Sequence, residues 1–402
     1  MDKKFLYISY DGMTDPLGQS QVLSYLRLLS KKNISFDIVS FEKVELYEIN
    51  KQKVNDFIQD TNICWHPLTY TKSPPILSTV MDISKGWKTI KKLYSFQNYD
   101  IVHCRGYISA ILGRMCKKKY SSKFIFDMRG WWADEKRESG IWKNPIYAPI
   151  YYYFKYLEKR FFIESDKAIS LTYIGKEEII RNKLKSENDI YVIPTCVDFT
   201  IFKPFDINVK NSVRSKLNIS DESIVLVYSG SMGGNYRTDV VFGIFKTLIR
   251  IKVDAILLLI TLADSDYIKN EIIKYDVPEE KVKIVKSSFL DVYKYLMVGD
   301  IGLIFYDNSF SAIGRSPTKL GEYWASGIPF ISSEKTGDLD SILKRYSEGG
   351  VLLKNFSEKE YEKVLVHLLN KKIDRDKLRE YAVDYYDIIK GVEAYYKIYS
   401  DC

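Results

Sequence analysis

Histidine is scarce in this chain. The three that occur, His66, His103 and His367, stand in no ligand spacing, so a metal cage is not expected. Cysteine is scarce too: Cys64, Cys104, Cys116, Cys196 and Cys402 are odd in number, scattered, and form no Cys-x-x-Cys pair. That pattern speaks against a disulfide frame or zinc site and for reduced thiols in a cytoplasm. Long apolar runs are missing as well. The stretch around Ala255–Ile260 falls far below the ~18 residues a membrane span needs. Met1-Asp-Lys-Lys leads into a Phe5–Ser9 segment too short for a secretory leader. These absences lead to the expectation of a cytoplasmic protein, with peripheral residence on the membrane's cytoplasmic face left open. No charge sign dominates: 60 basic against 52 acidic residues give +8, which suits an anionic substrate or an acidic lipid surface and does not call for nucleic acid.

What is present is a folded, globular composition, 46% hydrophobic and 28% charged, in a chain of 402 residues, long enough for two domains. Short apolar runs alternate with amphipathic stretches. Phe5–Ser9, Phe36–Phe41, Tyr99–His103, Lys123–Asp127, Ala168–Leu171 and Ile190–Ile193 read as strands, and Ser20–Lys31 reads as a helix with Val22, Leu23, Leu26 and Leu29 on one face. The rhythm restarts after Asp198 with Ser223–Tyr228, a helix near Val240–Arg250, and strands at Ala255–Thr261 and Val282–Val285. A repeated strand–helix alternation implies parallel, doubly wound sheets. The expectation is an α/β protein of two Rossmann-like doubly wound domains, 1–200 and 201–375, with a helical segment 376–402 crossing back to the first. The segment from Tyr147 to Phe162 mixes tyrosines with Lys and Arg. That reads either as a helix packed on the sheet with a tyrosine rim or as an interfacial segment.

The most informative stretch is Arg315-Ser-Pro-Thr-Lys319-Leu-Gly-Glu322-Tyr-Trp-Ala-Ser-Gly327-Ile-Pro329, between strand-like Asp300–Tyr306 and Phe330–Ser332. Ser316 can cap a helix, Pro317 suits its first turn, and Gly327 and Pro329 end it. A helix start favours negative charge, yet Arg315 and Lys319 are there; a phosphate between them resolves the conflict. Glu322, three residues after Lys319, shares its face and can accept hydrogen bonds from sugar hydroxyls. The competing reading is a solvated Lys–Glu pair worth about 0.2–0.5 kcal/mol.

Four segments, in order, resemble a retaining GT-B glycosyltransferase of family four. Asp11-Gly-Met-Thr-Asp-Pro-Leu-Gly18-Gln-Ser-Gln21 resembles the family's glycine-bearing first loop. Asp100-Ile-Val-His103-Cys-Arg105 resembles its Asp-apolar-apolar-His strand end, and Val192-Ile-Pro194-Thr-Cys-Val197-Asp198 its interdomain signature. Gly321-Glu322-Tyr-Trp-Ala-Ser-Gly327-Ile-Pro329 resembles its Glu-Ala-Met-Ala-x-Gly-x-Pro element. The resemblance covers essentially the whole chain.

It implies transfer of a sugar from a nucleotide-sugar donor, a UDP-sugar in the first instance, to a glycan or polyprenyl-linked acceptor in surface polysaccharide synthesis. It implies retention, with no metal and no cofactor. Donor contacts fall on Gly18, Ser231, Arg237, Arg315, Lys319, Leu320 and Glu322, and catalytic or acceptor contacts on His103, Arg105 and Arg129. Trp131 and Trp132 are stacking candidates, with buried core as the alternative. The chain departs from the family at two places. Gly314 stands where a first glutamate is usual, eight residues before Glu322, and Ser231 and Arg237 stand where Arg and Lys are usual. Asp264-Ser-Asp266 and Asp338-Leu-Asp340 match an Asp-x-Asp pattern by letter and are read as structural. A nucleotide-sugar epimerase and a non-catalytic nucleotide-binding module are the competing functions.

Overall fold

The computed structural model of the chain describes residues 3–234, 236–252 and 254–402. They form two compact units. The first joins Met1–Pro194 to Ile388–Cys402, and the second is Thr195–Asp387.

In the first unit, β1 (Lys3–Ser9), β2 (Ile34–Glu42), β3 (Ile63–Thr69), β4 (Ile101–Arg105), β5 (Lys123–Asp127), β6 (Lys167–Ser170) and β7 (Ile190–Val192) form a parallel sheet in the order β3-β2-β1-β4-β5-β6-β7. The central strands read as continuous apolar runs because both sheet faces are covered: Phe5, Leu6, Ile8, Val102, Phe124, Ile125 and Phe126 are all fully buried. The strand order reverses between β1 and β4. At such a reversal the connections leave in opposite directions, which opens a crevice beyond the strands' carboxyl ends. Ser9 pairs in register with Arg105, and Arg105 with Asp127, so three polar groups end neighbouring strands at one level.

The second unit repeats the plan. β8 (Ile224–Ser229), β9 (Ala255–Ile260), β10 (Val282–Val285), β11 (Ile301–Ile304), β12 (Phe330–Ser333) and β13 (Gly350–Leu353) run in the order β10-β9-β8-β11-β12-β13, all parallel, with the reversal between β8 and β11. Two buried clusters sandwich this sheet. Trp324 anchors one of them. Its indole Nε1 donates to the Gly349 carbonyl at 2.8 Å, and a Cβ on Gly349 would stand 2.2 Å from the ring, so only glycine fits there.

The strand expectations hold along the chain, with two additions, β3 and β13. Two helices differ. The stretch after Gly18 opens as a π-helical turn over Gln19–Leu23 before the α-helix Ser24–Ser30. The C-terminal stretch is two helices, Arg375–Tyr386 and Ile388–Ser400, parted at Asp387. The unit switches thus fall at 194/195 and 387/388, where 200/201 and 375/376 were expected. The reason is local bonding. Val197 N donates to the Tyr386 carbonyl at 2.7 Å, and Arg379 donates to the carbonyls of Ala325 at 2.6 Å and Phe202 at 2.8 Å. These bonds, with Leu378, Ala382 and Tyr386 in the core, hold the first helix to the second unit. The second helix carries Tyr395 and Tyr399 into the first unit.

Candidate functional site: a buried lysine at one switch point and a buried Asp–His–Tyr network at the other

In the second unit, the turn after β8 is rich in glycine, and Gly230, Gly233 and Gly234 all have positive φ (113°, 78° and 63°), a region that favours glycine. Against this loop lies Lys319, in the first turn of the helix Thr318–Ala325. It is 6% exposed. Its Nζ stands 4.0 Å from the centre of the Tyr228 ring and 4.5 Å from that of Tyr236. It has no hydrogen-bond partner among the described residues. A Cβ at Gly230 would approach Lys319 Cε to 2.8 Å, so the loop must be glycine for the lysine to lie there.

A lysine held in this way is costly unless an anion completes it. Aromatic faces attract a cation, but they accept none of its three hydrogen bonds. Burial therefore pushes Lys319 down to about 7, with Glu322 pulling the other way. Burial also pushes Glu322 up to about 7, opposed by Lys319, although part of this side chain remains accessible. The two groups titrate as a pair near neutral pH.

Arg315 extends the same wall. Its guanidinium lies 4.8 Å from the Tyr306 ring centre and donates through Nη2 to Ser311 Oγ at 3.2 Å. Tyr306 and Tyr236 form an isolated antiparallel bridge with ring centres 5.1 Å apart. Arg315 and Lys319 are thereby brought to one tyrosine-lined surface.

The remaining donor-site expectations fare differently. Arg237 closes on Asp239 through two bonds, at 2.8 and 2.6 Å, and lies over Phe356 at 4.4 Å, so its charge is already matched and its neighbours are not those of Lys319. Leu320 is 1% exposed and belongs to the apolar core; its N–H donates to the Pro317 carbonyl at 3.2 Å. It is a packing residue as placed, because the helix turns that face inward. Ser231 is exposed, and its carbonyl accepts from the Tyr228 hydroxyl. Ser316 does not cap the helix. Pro317 takes the cap position without a side-chain bond, while Ser316 Oγ accepts from Thr195 N at 3.2 Å. Gly314 is buried at the end of the short helix Phe310–Gly314. In each Asp-x-Asp pair one carboxylate is engaged by backbone amides. Asp264 caps a helix by accepting from the N–H groups of Asp266 and Tyr267, and Asp340 accepts from Lys335 N at 2.9 Å.

In the first unit, Gly18 packs on its own loop: a Cβ would meet the Gly12 carbonyl oxygen at 2.0 Å. Two amides of that loop are occupied. Met13 N and Thr14 N donate to the buried carboxylate of Glu42 at 2.8 and 3.0 Å, and Ser40 Oγ adds a third bond at 2.5 Å. The loop as placed offers these donors to an internal carboxylate, beside Gly18, where a donor contact was expected.

His103, Arg105 and Arg129 do come together, around a partner the sequence reading did not single out, Asp127. His103 is fully enclosed. Its Nδ1 bonds the Tyr399 hydroxyl at 2.8 Å, and its Nε2 faces Asp127 Oδ2 at 3.6 Å. Burial lowers its basicity despite Asp127, so the ring is neutral. Asp127 is itself fully buried. Burial raises its carboxyl, but Arg129, His103 and Arg105 together outweigh that and keep it ionised. The Tyr395 hydroxyl donates to it at 3.2 Å, and Arg129 Nη1 stands 3.9 Å away. Arg129 has φ of +57°, a conformation few side chains adopt, at the turn after β5. Arg105 donates through Nε to Asp11 at 3.2 Å, and Asp11 is the exposed end of the network. His103 thus orients buried groups, while Arg105 and Asp11 carry the network to the surface. Trp131 is buried against Phe162, and Trp132 packs on Trp142 and Phe154, so both belong to an aromatic cluster.

Two doubly wound parallel sheets, each with charged groups at its switch point, define a protein of the GT-B class. Residues 20–200 match the family model described as Glycosyltransferase Family 4. Solved structures agree on the fold across the full length. Sucrose-phosphate synthase from Thermosynechococcus elongatus superposes with a TM-score of 0.74 at 14% identity, covering 99% of this chain and 98% of that one. HepE from Anabaena, in complex with UDP and glucose, gives 0.72 at 12% identity and covers 100% of both chains. A putative UDP-N-acetylglucosamine 2-epimerase from Listeria monocytogenes gives 0.64 at 15% identity, covering 98% of this chain and 97% of that one. No curated protein matches the chain in sequence.

Proposed function

We propose that the chain is a glycosyltransferase that moves a sugar, with retention, from a UDP-sugar to a glycan or lipid-linked saccharide at the cytoplasmic face of a membrane. The observation that carries this reading is the unpartnered amine of Lys319 between two tyrosine faces. In this reading the donor diphosphate supplies the missing anion. Lys319 takes up its proton as the diphosphate arrives, and Arg315 adds a second positive charge on the same wall. As the bond from sugar C1 to the diphosphate oxygen breaks, negative charge grows on that oxygen. A fixed cation in a dry site then lowers the barrier by several kcal/mol without a metal. The acceptor oxygen bonds C1 on the same face, and its proton passes to the departing phosphate. Glu322 is assigned to the ribose hydroxyls. Asp11 and Arg105 are assigned to the acceptor, as the part of the first unit's network that reaches the surface.

The family match and the complex of HepE with UDP and glucose support the donor class. The lipid-linked acceptor is supported by the helix Ala148–Glu164, which buries Leu157, Phe161 and Phe162 and leaves Tyr152, Tyr153 and Tyr156 more than half exposed beside Lys159 and Arg160. Tyrosines mixed with basic residues suit a lipid interface. An epimerase would release its sugar without an acceptor, which product analysis distinguishes.

The test is Lys319→Ala. Removing a charge-assisted hydrogen bond to the diphosphate in a buried site should weaken UDP binding by about 1.5–3 kcal/mol, tenfold or more, and leave uridine binding nearly unchanged. Calorimetric titration of both ligands reads the difference. Equal weakening for UDP and uridine would contradict the assignment.

A further inference from the structure

The parallel pairing of β2 with β3 places three metal-binding side chains together on one face of the first unit's sheet. Asp37 stands in register with Cys64, and His66 follows two residues on, so all three project to the same side. Their ligand atoms lie within 4.8 Å of one another. His66 Nε2 is 2.5 Å from Asp37 Oδ1. The cluster is reachable from solvent: Cys64 is exposed, and Asp37 and His66 are partly so. Along the chain this set is invisible, because Asp37 lies far from the Cys64-x-His66 pair and β3 is an edge strand that includes Pro67.

We propose that Asp37, Cys64 and His66 form a binding site for a zinc-class divalent cation, with solvent completing the coordination. Three features carry it. The donor set of one carboxylate, one thiolate and one imidazole suits a borderline-soft ion such as Zn²⁺ and is poor for Mg²⁺ or Ca²⁺. The carboxylate is already oriented from behind: its other oxygen, Oδ2, accepts from Tyr99 Oη at 2.9 Å and from Gln97 Nε2 at 2.5 Å. Such outer bonds fix a ligand's direction before the ion arrives. Finally, the ligands come from two adjacent strands of a sheet, so their spacing is set by backbone pairing and the ion would clip the edge strand β3 to β2. Binding displaces the His66–Asp37 hydrogen bond and the thiol proton, with no change of oxidation state. The site is independent of the sugar-transfer reading.

The test uses the full, untagged chain with Co²⁺ as a spectroscopic probe and Zn²⁺ as competitor. The wild type should bind one Co²⁺ with a sulfur-to-cobalt charge-transfer band, and Zn²⁺ should remove that band. Cys64→Ser should abolish the band, and His66→Ala should weaken Zn²⁺ binding by more than about a hundredfold. Tyr99→Phe leaves all three ligands in place and loosens Asp37, so it should weaken binding by about tenfold. Absence of the band in the wild type, or Zn²⁺ binding of equal strength in Cys64→Ser and His66→Ala, would overturn the proposal.

Discussion

Lys319 shows how one side chain can be kept in an unfavourable state for later use. Its amine is hidden, bordered by tyrosine faces and pressed by the Gly230 loop, and burial drives it towards the neutral form. The stability consequences have definite signs. Folded Glu322 sits near 7 against an ordinary value of 4.5, so between those limits the folded chain holds a proton the unfolded chain has released, and stability falls as pH rises. Folded Lys319 sits near 7 against 10.5, so above neutrality the unfolded chain holds the extra proton and stability rises with pH. The pair alone gives a minimum near neutral pH. Denaturant titrations across that range should show it in the wild type. Glu322→Gln should flatten the acid limb and Lys319→Met the alkaline limb; a Lys319→Met curve parallel to wild type would remove the burial argument. Gly230→Ala combines a φ of +113° with a 2.8 Å approach to Lys319, and should cost about 1–3 kcal/mol of stability while also weakening UDP binding. Stability unchanged in that variant would contradict the close approach.

At the scale of elements, the last helix is the clearest case. Ile388–Ser400 lies far from the first unit in sequence, yet its Tyr399 ring packs at 4.7 Å on Phe5 and its hydroxyl holds His103. Tyr399→Phe deletes the buried bond and should cost about 1 kcal/mol; Tyr399→Ala also opens a cavity and should cost about 3–5 kcal/mol by urea denaturation. Near-zero effects would show that the helix does not complete the first unit. This helix also marks what the sequence could and could not tell. Its return to the first unit was expected from the sequence, but the break at Asp387 was not, since the apolar pattern runs through it. Central strands such as Lys123–Asp127 announced themselves as continuous apolar runs. The edge strand β3 did not, because it carries Pro67 and none of its residues is fully buried. Missing β3 also concealed the neighbours of Cys64 and His66. In the site, Lys319 and Arg315 were legible from a charge conflict at a helix start. Tyr228, Tyr236 and Tyr306, which surround them, were not, because a tyrosine at a strand end carries no mark of what its ring faces.

For the whole molecule, the two units each have their own core and their own switch point, so they should respond separately to perturbation. Trp324→Ala removes the anchor of the second unit's cluster and should lower that unit's transition by about 3–5 kcal/mol, with the first unit's transition, read through a Tyr399 variant, left in place. UDP should protect only the second unit, by about 2.7 kcal/mol at a hundred times its Kd. Limited proteolysis with and without UDP, followed by mass analysis, reads which unit is shielded. The central claim, that a buried neutral lysine becomes charged when it receives the donor's diphosphate, is tested most directly by calorimetric titration of UDP at about pH 8 in buffers of different ionisation enthalpy. There UDP is already fully ionised and Lys319 largely neutral, so binding should draw close to one proton from the buffer, and Lys319→Met should abolish that uptake. UDP binding by the wild type with no proton uptake at that pH would contradict it.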